Sequence, residues 1–199
     1  MDTPLNQNSN EKREEITVQG TRVFRPYEVK KLIDVIPKRY HRIMFEALLY
    51  TGMRYVELMR LKQKPEMFKP NSNRIHLDKF AIRKKKIKIK ERYVILNPIG
   101  KRVIESYLEL DKELPTHNDW RADLKRWCCK ANMLDTHLST KSTRKTWESW
   151  LVTTYPQYTH IIFLSQGHDA MTALKHYVTL PYSPQDKMDM KEYVYGWEP

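Results

Sequence analysis

Arg54 stands in the stretch Thr51-Gly52-Met53-Arg54-Tyr55-Val56-Glu57-Leu58, where a glycine marks the junction between two helical patterns. A guanidinium at such a junction can be aimed from a rigid scaffold at a phosphate, two N–H groups to two oxygens. The plainer reading is a surface arginine paired with Glu57. In Ser139-Thr140-Lys141-Ser142-Thr143-Arg144-Lys145-Thr146-Trp147, Ser139 or Thr140 can cap a helix, and Lys141 and Arg144 then share one face. Two cations near a helix start suit a phosphate clamp, although Arg144 with Glu148 also has the spacing of an ordinary ion pair. Farther on, Gly167-His168-Asp169 precedes His176-Tyr177-Val178. Gly167 ends one helix, Asp169 caps the next, and Tyr177 follows about two turns in, where its phenol is a nucleophile candidate or simply a core residue. The last feature is a basic run: Lys79, Arg83, Lys84, Lys85, Lys86, Lys88, Lys90 and Arg92. Lys88 and Lys90 alternate with Ile87 and Ile89, so one face of a strand can pack while the other presents ammonium groups to a polyphosphate.

The elements that must position these groups follow from hydrophobic spacing. Pro26 with Val29, Leu32, Ile33 and Ile36 predicts a first helix, and Ile43 to Leu49 predicts a second that ends at Thr51 and Gly52. A third helix begins just after Met53. Alternation and β-branched residues over 74–96 predict a β-hairpin, punctuated by Pro98 and Gly100. Helices are expected through Val103 to Leu108, over 118–131, and near 139–153, 158–166 and 169–178. The fold class is therefore mixed and mainly α, a helical domain carrying a small antiparallel β-hairpin or sheet. Residues 1–20, with few apolar anchors, read as a flexible N-terminal arm, and 21–182 as one folded domain. The tail, 183–199, holds Met188, Met190, Tyr193 and Trp197, enough for one short helix that could pack on a neighbouring protomer.

Composition narrows the function classes. The formal charge is +12, from 36 Lys and Arg against 24 Asp and Glu, the balance of a polyanion binder. No long apolar run, basic amphipathic helix or apolar signal core is present, so an intracellular protein acting on double-stranded DNA is expected, with no membrane role. Cys128 and Cys129 are adjacent, poorly placed to staple distant parts of the chain, and no spaced Cys or His set completes a metal site; no cofactor is expected.

Order and spacing together lift these separate signals. An Arg in a TGxRxxEL context, a Lys-rich hairpin, Lys-x-x-Arg opening a helix, and Gly-His with a Tyr nine residues after the His resemble the catalytic domain of the tyrosine recombinase, or integrase, family. The resemblance spans about residues 24–182. It implies that Arg54 and Arg144 hold the scissile phosphate, that His168 is the second-histidine position, and that Tyr177 forms a 3′-phosphotyrosyl intermediate. It further implies a general-acid lysine on the hairpin, for which Lys79, Lys84, Lys85 and Lys86 all remain candidates. Arg83, Lys88, Lys90, Arg92 and Lys145 are then DNA contacts, and self-association into a tetrameric synapse is expected. Lys141 stands where the family more often has His, a feature similar to some archaeal viral integrases and to type IB topoisomerases. Glu57 reads as a partner that orients one of the cations. The first 20 residues or so do not supply the N-terminal clamp domain usual in the family. A topoisomerase-like nicking and closing enzyme, or a non-catalytic DNA-binding protein of the same fold, are the alternative readings.

Overall fold

The computed structural model describes residues 14–82, 87–89, 91–168 and 180–199. The chain enters the fold as a small hairpin, β1 (Ile16–Val18) against β2 (Thr21–Val23), turning at Gln19 and Gly20, both in the left-handed region. Ile16, Val18 and Val23 are buried, so the ordered fold begins earlier than the arm expected over 1–20. Two apolar positions separated by one exposed threonine were too short a pattern to register as a strand. The hairpin is tied down by polar links: the Phe24 N–H donates to Thr146 Oγ1 at 2.9 Å, and Arg22 reaches Glu28 at 2.6 Å.

Helices α1 (Pro26–Val35), α2 (Arg39–Thr51) and α3 (Tyr55–Gln63) follow as the spacing predicts. Next comes antiparallel structure: β3 (Phe68–Lys69), β4 (Arg74–Leu77), β5 (Phe80–Ile82), β6 (Ile87–Ile89) and β7 (Arg92–Ile95). β3, β4 and β7 form one sheet in that order, and β5 pairs with β6. Leu77 faces Arg92 and Phe80 faces Ile89, so the register carries through both pairs as one interrupted hairpin. The expected hairpin is therefore present, with β3 added to its edge.

The remaining helices are α4 (Pro98–Glu109), α5 (His117–Lys130), α6 (Ser142–Thr154), α7 (Thr159–Gln166) and α8 (Pro184–Val194). α6 is the axis of the core: it touches β2, α2, α7 and α8, and Trp147 and Trp150 are fully enclosed. Burying two indoles at spacing i, i+3 orients the helix, which fixes where its polar side chains emerge. The expected helix over 169–178 lies outside the described residues.

The tail folds back on its own chain. α8 lies on its own α1 and α6, with Met190, Val194 and Trp197 buried. Arg25 is ion-paired to Asp186, and Asn97 Nδ2 donates to the carbonyls of Tyr193 and Tyr195. The expected short helix is present, and Met190, Val194 and Trp197 pack within the chain while Met188 and Tyr195 stay exposed.

Candidate active site

Three helix ends build the site. Gly52, left-handed at φ 59°, closes α2 and turns the chain so that Arg54 becomes the residue before α3. The Arg54 N–H donates to Glu57 Oε2 at 2.7 Å, and Arg54 Nη1 donates to Oε1 at 2.8 Å. Glu57 is completely buried while the Arg54 side chain is 38% exposed, so the carboxylate lies behind the guanidinium and the guanidinium faces out. Arg92 clamps the same carboxylate from β7, Nη1 to Oε1 at 2.8 Å and Nη2 to Oε2 at 2.7 Å, and its Nε donates to the Ser165 carbonyl at 2.9 Å. Burial alone would raise the Glu57 pKa. The Arg92 hydrogen bond and the charges of Arg92, Arg54 and Arg144 outweigh it and hold the group down to about 2.

Arg144 rises from the first turn of α6. Its Nη1 donates to the Gly52 carbonyl at 2.7 Å and its Nη2 to the Gln166 carbonyl. These are carbonyls at the C-terminal ends of α2 and α7, which lack helical partners and carry partial negative charge. Burial lowers the Arg144 pKa to about 10, so the guanidinium stays charged at neutral pH. Ser139 and Ser142 serve the turn before α6 and do not cap it: Ser142 Oγ accepts from the Ser139 N–H and Ser139 Oγ from the Lys141 N–H, both at 3.1 Å. Lys141 takes the cap position and is exposed.

His168 follows Gly167, the left-handed residue at φ 70° that ends α7. Its N–H donates to the Phe163 carbonyl at 2.9 Å, and its Nε2 lies 3.1 Å from Glu148 Oε1 and 3.2 Å from Arg144 Nη2. Burial pushes the Glu148 carboxyl up, but the His168 hydrogen bond and the charges of His168, Arg144 and Lys145 outweigh it and leave its pKa below the ordinary value. Lys145 Nζ is 3.3 Å from Gln19 Oε1, and burial lowers the lysine pKa.

Arg54, Lys141, Arg144, Lys145 and His168 line one open cleft of about 300 Å³. No Asp or Glu is among the described residues at its wall; Glu57 and Glu148 lie behind it. Gln19, Tyr55, Val56, His117 and Thr140 complete the lining. Sequence reasoning missed Gln19, because it fell in the supposed arm, and His117, whose Nε2 meets Thr140 Oγ1 at 2.7 Å. A link across 23 positions between two unremarkable polar residues leaves no pattern in the chain.

Arg92 requires a correction. It was expected among the DNA contacts, but it is only 7% exposed, does not line the cleft, and donates through Nε, Nη1 and Nη2 to Ser165 and Glu57. Its place on β7 opposite Leu77 turns it inward, opposite in sense to the solvent-facing alternation expected for the run. Lys79 is exposed between β4 and β5 and does not line the cleft. Lys88 lies on β6 facing Ala81. Arg83, Lys84, Lys85, Lys86, Lys90 and Tyr177 lie outside the described residues. Among the described residues, no group of three or more His, Cys, Asp or Glu gathers as a metal site, and no helix is long and apolar enough to cross a membrane.

No family model matches the chain, and no curated protein does. Solved structures do. XerA recombinase is similar with a TM-score of 0.61 at 16% identity, over 87% of this chain and 65% of that one. The Tn1549 transposon integrase in complex with circular intermediate DNA is similar with a TM-score of 0.64 at 15% identity, over 89% of this chain and 68% of that one. The same integrase with transposon right end DNA gives 0.63 at 16% identity, over 88% and 66%. The chain thus spans about two thirds of the length of these proteins. Mainly helical, with a small antiparallel sheet beside the helix that carries Arg144, this chain has the fold of the tyrosine recombinase catalytic domain.

Proposed function

We propose that the chain is a site-specific DNA recombinase of the integrase kind, cleaving and rejoining DNA through a 3′-phosphotyrosyl intermediate on Tyr177. One observation carries the reading: Arg54, Lys141, Arg144 and His168, from three helix ends, line a single cleft with no carboxylate at its described wall. Such a wall attracts a phosphate and can stabilise the charge that develops as phosphorus becomes five-coordinate. That the integrase neighbours were solved with DNA supports the choice of substrate. The sequence motif, with Tyr177 nine residues after His168, supports the choice of nucleophile.

In this reaction the Tyr177 phenolic oxygen passes its proton to a neighbouring base or to water and attacks phosphorus in line. A P–O bond to tyrosine forms, the P–O5′ bond breaks, and the departing 5′-oxygen takes a proton from a general acid, for which the hairpin lysines are candidates. Attack by a 5′-hydroxyl on the adduct reverses the step, and the phosphodiester is restored without ATP because the bond energy stayed in the adduct. Arg54 and Arg144 hold the non-bridging oxygens, and losing either should slow cleavage by about 10²-fold or more. Lys141 supports the same phosphate as a point charge.

The test uses DNA with a nick beside the cleavage position, so that the short product escapes and the adduct accumulates. Wild type should leave a denaturation-resistant protein–DNA adduct, and Tyr177→Phe none. Tight, salt-sensitive binding without an adduct on a broad pool of sites would replace this reading with a DNA-binding protein of the same fold.

A further inference from the structure

Gln166, the last residue of α7, is 2% exposed, and its side chain reaches across to the end of α2. Its Nε2 donates to the Thr51 carbonyl at 3.3 Å, and its Oε1 lies over Gly52 so closely that a Cβ there would come within 2.5 Å of it. The two carbonyls that hold Arg144 belong to the same two helix ends: Nη1 donates to that of Gly52 at 2.7 Å and Nη2 to that of Gln166 itself. Helices α2 and α7 each pack on α6 and have little direct contact with each other. The Gln166 amide therefore bridges the gap that sets the spacing of the two acceptors under the Arg144 fork.

Stability does not account for this amide. Among the described residues its one side-chain hydrogen bond is long, and Oε1 is buried without a hydrogen-bond partner. An acceptor buried in that way costs free energy that an apolar side chain of similar length would not. Gly52 has to be bare for the amide to fit against the chain at all. We propose that Gln166 is a positioning residue for Arg144: its side chain ties the end of α7 to the end of α2 and so fixes the two carbonyls that aim the guanidinium at the substrate phosphate. The proposal rests on the reading of the cleft as a phosphate site. Arg144 is only 4% exposed and its Nη2 also lies 3.2 Å from His168 Nε2, so a shift of either carbonyl turns the fork within a closely packed surround. A reacting group displaced by about 1 Å can cost on the order of 10²-fold in rate.

Two measurements test this. In the DNA-free wild type, ¹⁵N NMR of the arginine side chains should resolve separate Nη signals for Arg144, because the two carbonyl bonds stop its amino groups from rotating. In Gln166→Met those signals should merge. On saturating nicked DNA, Gln166→Met should form the tyrosyl adduct about 10- to 10²-fold more slowly than wild type, while its melting midpoint stays unchanged or rises. Merged Arg144 signals in wild type overturn the proposal, as does a Met variant that cleaves at the wild-type rate. A variant slowed with its Arg144 signals unaltered overturns it too, and a lowered midpoint would make the amide a stabilising contact instead. The wild-type NMR measurement needs no variant to fold and no cleavage to occur. A failure to form any adduct would thus remove the proposed function while the Arg144 signals still decide the Gln166–Arg144 link.

Discussion

The Arg92 guanidinium and the Glu57 carboxylate meet fork to fork, at 2.8 and 2.7 Å, with side-chain exposures of 5% and 0%. Because Glu57 also accepts from the Arg54 side chain and backbone, a residue on the sheet fixes the direction in which a cleft arginine points. Breaking a buried pair by removing one partner leaves an uncompensated charge, which costs about 3–5 kcal/mol. Arg92→Met should lose stability on that scale in urea denaturation. Below its melting temperature the variant should bind DNA with an unchanged salt slope, since the Arg92 guanidinium does not line the cleft and is held by Glu57 and Ser165. A slope shallower by about 0.9, with stability intact, would restore Arg92 to the DNA-contacting set.

The same carboxylate sets an acid limit on stability. Its pKa is held at about 2, below the ordinary value of 4.5. A carboxylate depressed on folding contributes stability that is present above the unfolded value and is lost as pH falls toward the folded one. The contribution is on the order of 3 kcal/mol, from the shift at about 1.4 kcal/mol per unit. The urea midpoint of wild type should therefore fall between about pH 4.5 and 2 more steeply than that of Glu57→Gln. Equal slopes in the two proteins would mean that folding leaves the Glu57 pKa unshifted, so that Arg92 and Arg54 do not hold it down.

What could be read along the chain was whatever local spacing dictates. Gly52 before Arg54, and Gly167 before His168, marked the junctions where the structure places left-handed helix ends. Turn chemistry thus marked the two junctions, while the choice of Arg54 and His168 at them came from the family resemblance. The hairpin was legible, because Ile75 and Leu77 alternate and β-branched residues gather at Val94 and Ile95. The direction of Arg92 was not, since its neighbours in the basic run suggested a common outward face and its true partner lies 35 positions away. Glu148 was placed four residues after Arg144 by helical spacing, while its approach to His168, 3.1 Å between Oε1 and Nε2, depends on how α7 meets α6, a tertiary fact with no local signature.

Lys145 separates stability from binding. Burial lowers its pKa, so its charge is disfavoured in the folded protein, and stability should rise with pH as that charge is relieved. Lys145→Met keeps most of the volume and removes the desolvated ammonium, and such replacements are often neutral or stabilising. Thermal melting should show an unchanged or raised midpoint. DNA affinity should nevertheless fall, with a salt slope shallower by about 0.9 if the ammonium neutralises one phosphate in the cleft. Lower stability together with unaltered DNA binding would assign Lys145 a structural role through Gln19.

The general acid can be found by chemistry that relieves the need for one. Lys79, Lys84, Lys85 and Lys86 are the hairpin candidates, and Lys79 is exposed away from the cleft lining. An oxygen leaving group needs a proton as the P–O5′ bond breaks, whereas a sulfur in the 5′ position leaves readily as a thiolate. Alanine at the residue that delivers the proton should slow cleavage of ordinary DNA by about 10²- to 10⁴-fold and barely affect the 5′-thio substrate. At a lysine that only grips the backbone, both substrates should slow alike and the loss should shrink at low salt. We expect the selective effect at one of Lys84, Lys85 or Lys86. If it appears at Lys79 instead, the hairpin must bend toward the cleft when DNA binds; if at none of the four, the proton comes from another cation of the site, and Lys141 is the exposed one at its rim.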